Sequence, residues 1–309
     1  MRLLMATLLA ASAFAADPKV IVPANGVPPV GPYSPGLLSG GYLYISGQGV
    51  RDSKSAMPEG IAAQTRQCLR NVQGILDAAG MTTADVVSVQ IFLADLKDQP
   101  AVDKIYLAAY PANPPRVVMG AAKMPTDTTV EITVVAHKGA PADRVYLPAV
   151  YGATKSEVET KLNAELRKAG LTVKNLLYAN RYVSTTPVAG EIPVAGLPNG
   201  ATHAIFAIAA KTAPANAAFC EVIASDPKGT IEDQTKSAFA KLKFCLEAKG
   251  LTLANALATN VYLDDITDFA KMNAVYASYF PTQKPTRTTI QTAPSSKGSL
   301  VRLSAVAAR

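Results

Sequence analysis

The sequence is poor in the residues that metal centres and many nucleophilic active sites require. Its 309 residues include only two histidines, His137 and His203, and three cysteines. Neither histidine belongs to a metal-ligand spacing or to a Ser/His/Asp grouping, and no glycine-rich nucleotide motif or P-loop occurs. We therefore expect neither a metal nor an organic cofactor.

Long hydrophobic runs are also missing. No window approaches the roughly 18 to 20 apolar residues of a membrane-spanning helix. The composition, 49% hydrophobic and 17% charged, is that of a globular protein and excludes disordered, collagen-like and coiled-coil chains. We expect a soluble mature chain that does not bind to a membrane.

The N-terminus has the layout of a secretory signal peptide. Residues 1–16 contain one basic residue, Arg2, then an apolar stretch and the small-residue exit Ala13-Phe14-Ala15. The alternative is an N-terminal helix of the folded domain. We expect residues 1–16 to be removed and the protein to be exported, to a periplasm or the medium.

The cysteines give little sign of a disulfide framework. Cys68, Cys220 and Cys245 are odd in number, few for the length and embedded in apolar patterns. We expect packed core thiols.

The charge is weakly cationic without a concentrated patch. The formal net charge is +7, but the lysines and arginines are scattered singly or in pairs, with no aromatic interleaving. The sequence predicts no nucleic-acid partner and remains compatible with anionic small molecules.

Three segments share a helix, a glycine stop and a strand. The stops are Gly80, Gly170 and Gly250, each followed by Met or Leu and then Thr, and the strands that follow are predicted at 86–93, 176–183 and 256–263. The first and third segments continue through a second short helix (about 99–110 and 268–280), which the middle segment lacks. The order of elements in a full unit is ββαβαββ, an α+β arrangement with helices on one face of a mixed sheet.

These repeats predict three domains after the signal peptide. Residues 17–139 form a complete unit, 143–211 a truncated and degenerate unit, and 216–309 a partial unit. The links between them are too short for independent domains, so we expect the units to pack on one another rather than to hang as beads on a string.

The first unit carries motifs of a known family. The segments GPYSPG (31–36), SGQ (46–48), PR (115–116) and VEI (130–132), with the helix AAQTRQCLRNVQGILDAAG between them, resemble in order the signature positions of the RidA/YjgF/UK114 family. The resemblance implies chorismate-mutase-like α+β subunits that form a homotrimer with ligand clefts between subunits. Three units in one chain then imply an intramolecular pseudo-trimer, monomeric as a chain.

The resemblance assigns roles to residues of the first unit. Arg116 would bind a substrate carboxylate through its planar guanidinium, and Glu131 would activate a water as general base. Tyr33 would line the cleft, and Ser46-Gly47 would present backbone groups to the ligand. Without the resemblance, Arg116 would be interpreted as a solvated strand end and Glu131 as a residue on the solvent-exposed face of a sheet. Tyr33 and Ser46-Gly47 would be interpreted as ordinary turn residues.

One family position departs from the pattern, and the other units look degraded. An asparagine common in the second helix reads Asp103 here, which puts negative charge near the expected anion site, whereas the third unit has Asn273. The third unit keeps Arg287 but has Arg302 at the position of Glu131. The second unit has Ala204 there and no arginine near Ala189. At most one complete catalytic set is expected, in a cleft that a degenerate unit also lines.

The resemblance therefore implies an enamine/imine deaminase that hydrolyses 2-imino acids such as 2-iminobutanoate or 2-iminopropanoate to 2-keto acids and ammonia. Positioning and one base suffice for imines, which already hydrolyse readily in water. The alternative is a non-catalytic binder of small carboxylates, which export and the degraded sites favour. An endoribonuclease, an activity attributed to some family members, is disfavoured because a histidine pair and a basic groove are missing.

Overall fold

A computed structural model describes residues 18–293 and 298–309. The predicted signal peptide, residues 1–16, lies outside this part of the chain. Within it, no helix is long and apolar enough to cross a membrane.

The first unit is a six-stranded sheet with two helices on one face. Its strands have the order β1-β2-β3-β6-β4-β5. The helix α1 buries a stripe of apolar residues, Cys68, Leu69, Val72, Ile75 and Leu76, against the sheet. The elements are β1 (Lys19–Ile21), β2 (Gly36–Ser39), β3 (Tyr42–Gln48), α1 (Ile61–Ala78), β4 (Val86–Leu93), α2 (Gln99–Ala109), β5 (Arg116–Gly120) and β6 (Val130–His137).

The second unit is smaller, as the sequence predicts. Between its strands β9 and β10, the described chain has no helix, and its sheet has the order β10-β9-β11-β7, with β8 also paired to β11. The elements are β7 (Val145–Tyr146), β8 (Val150–Gly152), α3 (Lys155–Lys168), β9 (Leu176–Val183), β10 (Glu191–Pro193) and β11 (His203–Ala209).

The third unit contains the second helix that the second unit lacks. Its four-stranded sheet has the order β12-β15-β13-β14. The elements are β12 (Ala217–Ala224), α4 (Ile231–Glu247), β13 (Ala256–Leu263), α5 (Phe269–Tyr279), β14 (Thr286–Gln291) and β15 (Val301–Ala308). The predicted bounds of the three central strands are confirmed, and those of the second helices are right to within one residue.

The repeated glycine-hydrophobe-threonine motif ends a helix and starts a strand. Gly80, Gly170 and Gly250 all have positive φ, between 68° and 70°, a conformation in which glycine carries no Cβ penalty. The residue after each glycine donates its amide to a carbonyl five positions back, at 2.9, 2.8 and 3.0 Å, the bond of a Schellman cap. The threonine then caps a short 3₁₀ turn before the strand. The identical chemistry explains why the motif recurs in all three units.

The sheets of the three units pack on one another through the faces that carry no helices. Phe92, Tyr182 and Tyr262 occupy the same position of the central strand in each unit, and all three belong to one buried apolar cluster. Each unit also has its own core between sheet and helices. The chain is therefore an α+β assembly of three similar units around a shared interior.

One prediction about cysteine is wrong. Cys220 on β12 and Cys245 on α4 form a disulfide, and only Cys68 is a free buried thiol among the described residues. The two half-cystines lie 25 residues apart in sequence, and the fold of the third unit brings their Cα atoms to 6.2 Å. Their wide spacing and apolar surroundings concealed the pairing.

Breaking this disulfide should weaken the third unit. Closing a loop of this length removes conformational entropy from the unfolded chain, worth roughly 3.5 kcal/mol in the chain-entropy model. We expect Cys220→Ser to lower the free energy of unfolding by about 2 to 4 kcal/mol, measured by urea denaturation. The control variant is Cys68→Ser, which removes a thiol but leaves the disulfide intact. Dithiothreitol should lower the free energy of unfolding of the native chain and of Cys68→Ser alike. It should have no further effect on Cys220→Ser, because that variant has no disulfide to reduce.

Candidate functional site

A cleft opens where the first unit meets the third. One wall is formed by the turn at residues 27–35 and by Gly47 to Gly49 at the end of β3, with Glu131 of β6 beside them. The other wall comes from the third unit, through Phe269, Arg287 and Thr289. The cleft and the solvent space at its open mouth together have a volume of about 710 Å³.

Arg287 is the buried cation of this cleft. Its side chain is 3% exposed, and its guanidinium carbon lies 5.0 Å from the ring centre of Tyr33, 4.7 Å from Tyr276 and 5.4 Å from Phe269. These rings favour a cation electrostatically. Burial lowers the pKa of Arg287, yet an arginine stays protonated in proteins.

The guanidinium of Arg287 lacks an anion. Its terminal nitrogens, Nη1 and Nη2, are buried and have no hydrogen-bond partner in the described part of the chain. Unpaired buried donors on a charged group are costly, so they mark a place where an anionic ligand would be stabilised. Because the guanidinium is planar, a carboxylate suits it through two parallel hydrogen bonds.

The backbone of the first unit holds Arg287 in place. The amide of Arg287 donates to the hydroxyl of Ser46 at 2.8 Å, and that hydroxyl donates to the carbonyl of Ser34 at 2.6 Å. Ser34 in turn donates its amide to Pro285 O and its hydroxyl to Lys284 O, at 3.1 and 2.7 Å. Ser46 is fully buried in this network, so its side chain positions the arginine rather than facing the cleft.

Glu131 is the only carboxylate among the residues that line the cleft. It lies opposite Phe92 on the helix-free face of the sheet, while Val130, Ile132 and Val134 enter the core under α1, as the alternation predicts. That face is covered by the third unit rather than wet, and Glu131 is 7% exposed. Burial raises the pKa of Glu131 to about 8, although the positive charge of Arg287 opposes the shift.

Arg287 and Glu131 influence each other without forming an ion pair. Their charges are coupled, yet no nitrogen of Arg287 lies within 4 Å of a Glu131 oxygen among the described contacts. A small molecule can therefore lie between them. The arrangement provides an anion-binding group and an acid/base group whose pKa is close to neutral pH, which favours proton transfer in either direction.

Two glycines keep the cleft open. A Cβ on Gly47 would overlap the carboxylate of Glu131, and a Cβ on Gly31 would lie 2.5 Å from Nη2 of Arg287. Tyr33 contacts the guanidinium with its ring, and its hydroxyl accepts a hydrogen bond from the amide of Val30 at 3.2 Å. Burial raises the pKa of Tyr33, so this tyrosine stays protonated near neutral pH.

The structure does not bring Arg116 and Asp103 together with Glu131. Arg116 begins β5, two strands away from β6, and its guanidinium forms an ion pair with Asp103 at 2.9 Å and stacks over Tyr106. Neither Arg116 nor Asp103 lines the cleft that contains Glu131. The side chain of Asp103, where the family pattern has asparagine, instead neutralises Arg116.

Arg116 faces the second unit. Its carbonyl accepts the amide of Ala149 at 3.3 Å, and the hydroxyl of Tyr151 bonds both the amide and the carbonyl of Val118, at 2.7 and 3.2 Å. Tyr151 is paired across the sheet with Ala204, which stands where the first unit has Glu131. This interface has a paired arginine and no carboxylate at the base position.

In its described residues, the remaining interface also lacks an unpaired arginine beside a carboxyl group. Arg302 occupies the Glu131 position of the third unit, is buried and pairs with Asp264 at 3.3 Å. In the described chain, therefore, one interface combines a buried guanidinium that has no anion with a buried carboxylate. Asn273, the third-unit counterpart of Asp103, lies near this guanidinium: both its side-chain polar atoms are 3.3 Å from a Cβ built on Gly31.

Sequence reasoning identified Glu131, Tyr33 and Gly47 as neighbours and missed Arg287 as their cation. A signal was present, because Arg287 follows a proline-rich bend like that before Arg116 and comes with an asparagine rather than an aspartate in its helix. The sequence could not show which unit adjoins the first unit at Glu131. Among the described residues, no cluster of histidine, cysteine, aspartate and glutamate could hold a metal ion.

The fold and this inter-unit cleft define a protein of the RidA/YjgF type. The chain belongs to the family described as Endoribonuclease L-PSP, whose model matches residues 24–138 and 221–309, together about two thirds of the chain. The second unit falls between the two matched regions.

Individual relatives match about one unit of this chain. A RutC family protein of Pyrococcus horikoshii is 35% identical over 123 residues, which is 39% of this chain and 98% of the relative. A RutC family protein of Saccharolobus solfataricus is 37% identical over 113 residues, 36% of this chain and 90% of the relative. The crystal structure of the YjgF gene product of E. coli is 34% identical, covers 39% of this chain and 98% of its own, and aligns with a TM-score of 0.38.

Proposed function

We propose that this chain is a hydrolase of 2-imino acids, with its active site between the first and third units. The observation that carries the proposal is the buried guanidinium of Arg287, which lacks an anion and lies across a cleft from the buried carboxyl of Glu131. A 2-imino acid has a carboxylate bonded directly to the carbon that water must attack. One small molecule can therefore use both groups.

The residues would act in a simple sequence. Arg287 binds the substrate carboxylate and fixes the adjacent imine carbon in the cleft, while Gly47 leaves space beside Glu131. Ionised Glu131 takes a proton from a water molecule as the water oxygen bonds to the imine carbon, and the electron pair of the C=N double bond moves to nitrogen. The proton is passed to that nitrogen, which completes the carbinolamine. The C–N bond then breaks with its electron pair on nitrogen, and the proton of the hydroxyl group passes to the same nitrogen, by way of Glu131, as the carbonyl forms. Ammonia and a 2-keto acid result.

The non-catalytic alternative uses the same anion site. A binder of small carboxylates needs Arg287 but has no need of an ionisable group whose pKa lies near 8. The position of Glu131 in the cleft with Arg287, together with its raised pKa, therefore favours the enzyme. The endoribonuclease is disfavoured because neither histidine lines the cleft. His137 packs beside Tyr42, and His203 forms a hydrogen bond with the hydroxyl of Thr202.

The test uses the mature chain from Asp17. An amino-acid oxidase generates 2-iminobutanoate in situ, and semicarbazide traps the imine that survives. We expect the protein to divert imine from the trap in proportion to its concentration. If well-folded protein leaves the trapped fraction unchanged while 2-ketobutyrate still binds, the chain is a binder; loss of intact RNA in a parallel incubation would instead support the ribonuclease.

Export of the mature chain remains part of this proposal. The Cys220–Cys245 disulfide supports it, because disulfides persist in oxidising compartments and are rare in the cytosol. We also propose that the chain works as a monomer, since the cleft is assembled from two units of one polypeptide.

A further inference from the structure

A second arginine stands in the same cleft. Arg51 follows β3 and lines the cleft together with Gly47 and Gly49. Its Nη1 donates to the carbonyl of Ser55 at 2.9 Å and its Nη2 to the carbonyl of Thr126 at 3.2 Å. No acidic side chain among the described residues forms an ion pair with it. Arg51 therefore presents an oriented positive charge that protein carboxylates leave uncompensated.

The backbone on both sides of Arg51 is fixed. Asn71 of α1 donates its side-chain amide to the carbonyls of Gly49 and Arg51, at 3.0 and 2.8 Å. Thr126, whose carbonyl binds the guanidinium, adopts a left-handed conformation with φ of 61°, which is unfavourable for a β-branched residue. The equivalent turn of the second unit has Asn199 at a φ of 56°, so the repeated fold imposes this conformation and thereby fixes the carbonyl that Arg51 binds.

A substrate with one carboxylate leaves one positive charge of the cleft uncompensated. Arg287 at the buried end and Arg51 toward solvent give two positive charges, against one carboxyl, Glu131, whose raised pKa leaves it largely neutral near pH 7. A simple 2-imino acid compensates only Arg287. A second anionic group on the ligand would compensate Arg51 by a charge-assisted hydrogen bond.

The walls between the two arginines suit a short chain of methylene groups. Gly47 and Gly49 carry no side chains, and the amide of Gln48 is turned back to the carbonyl of Ser46 at 3.0 Å. The apolar turn from Val27 to Val30 lines the same cleft. The part of the cleft lined by Gly47 and Gly49 therefore has little side-chain bulk, and the Gln48 amide does not compete there for a ligand's polar groups.

We propose that the preferred substrates are 2-imino dicarboxylates, that is, imines of acidic amino acids. Their inner carboxylate would bind Arg287, and their side-chain carboxylate would bind Arg51. This specificity rests on the proposed imine hydrolysis, and Arg51 serves in it as a specificity-determining residue.

The test compares imines with one and two carboxylates. Oxidases acting on glutamate or aspartate generate 2-iminoglutarate or iminosuccinate in situ, beside 2-iminobutanoate as the monocarboxylic reference. We expect native protein to show a kcat/KM at least about tenfold higher for a dicarboxylic imine, and Arg51→Gln to lose about tenfold to a hundredfold there while staying within about twofold on 2-iminobutanoate. Arg66→Gln, the same charge change on an exposed part of α1, should leave both unchanged.

Each outcome distinguishes this inference from the proposed function. Equal rates for both classes, or equal losses on both in Arg51→Gln, would overturn the specificity while leaving imine hydrolysis intact. If no imine is hydrolysed, calorimetry of 2-ketoglutarate and 2-ketobutyrate still tests the site: tighter binding of 2-ketoglutarate that depends on Arg51 supports it, and equal binding overturns it.

Discussion

Replacing Arg287 by methionine should strongly reduce imine hydrolysis, whereas Arg116→Met should leave its rate within about twofold. The two arginines are equivalent in the repeat, but only Arg287 points into the cleft with Glu131, and Arg116 is paired with Asp103. Loss of a buried charged partner typically costs about 2 to 5 kcal/mol in binding, so we expect kcat/KM to fall by roughly 30-fold to 4,000-fold in Arg287→Met. Steady-state rates with semicarbazide trapping measure both variants.

Methionine is chosen because it keeps most of the packing against Tyr33 and Tyr276. Since Arg287 is a desolvated charge without an anion, its removal should not lower the melting temperature, although it removes activity. Arg287→Lys keeps the charge but loses the planar donor pair, so intermediate activity is expected. A larger loss in Arg116→Met than in Arg287→Met would return the anion site to Arg116 and refute the cleft described above.

Glu131→Gln should reduce kcat by about 10² to 10⁴, the usual contribution of a general acid or base. Glutamine keeps the shape of the side chain, so 2-ketobutyrate should still bind at Arg287. In the native protein kcat/KM should rise with pH and level off above the pKa of Glu131, about 8 in the free protein, because the base must be ionised to accept a proton from water. The variant should lose this rise. Full activity in Glu131→Gln would remove Glu131 from the mechanism.

Glu131→Gln should also change how the free energy of unfolding depends on pH. The pKa of Glu131 is raised from 4.5 to about 8, so between these values the folded chain holds a proton that the unfolded chain has released. The contribution of Glu131 to the free energy of unfolding is therefore present below pH 4.5 and is lost as pH rises through about 8, at up to roughly 1.4 kcal/mol per pH unit. Urea denaturation of native protein and Glu131→Gln across this range should show the difference, and parallel curves would contradict the buried, protonated carboxyl.

Much of the fold follows from local patterns in the sequence. The helices, the central strands and the glycine-threonine stops each depend on residues a few positions apart, so they could be predicted directly. The missing second helix of the middle unit was predicted for the same reason. The placement of Glu131 on the helix-free face followed from strand alternation.

The site and the disulfide depend on contacts between distant residues. The hydrogen bond between Ser46 and Arg287 joins residues 241 positions apart, and no local pattern specifies that the third unit, rather than the second, adjoins Glu131. The position of Arg116 beside Glu131 in the same unit suggested a pair, but sheet order separates them and directs Arg116 to the next interface. Cys220 and Cys245 likewise meet only because β12 lies against α4.

The long separation between the two halves of the cleft sets an order in time. A chain made from its N-terminus has Tyr33, Gly47 and Glu131 available early, but Arg287 emerges only with the last residues, and contacts of such high sequence separation form slowly. A nascent or partly folded chain therefore contains the carboxyl without the cation. The third unit supplies the closing part of the cleft, so the candidate ligand site is complete only once that unit has packed against the first.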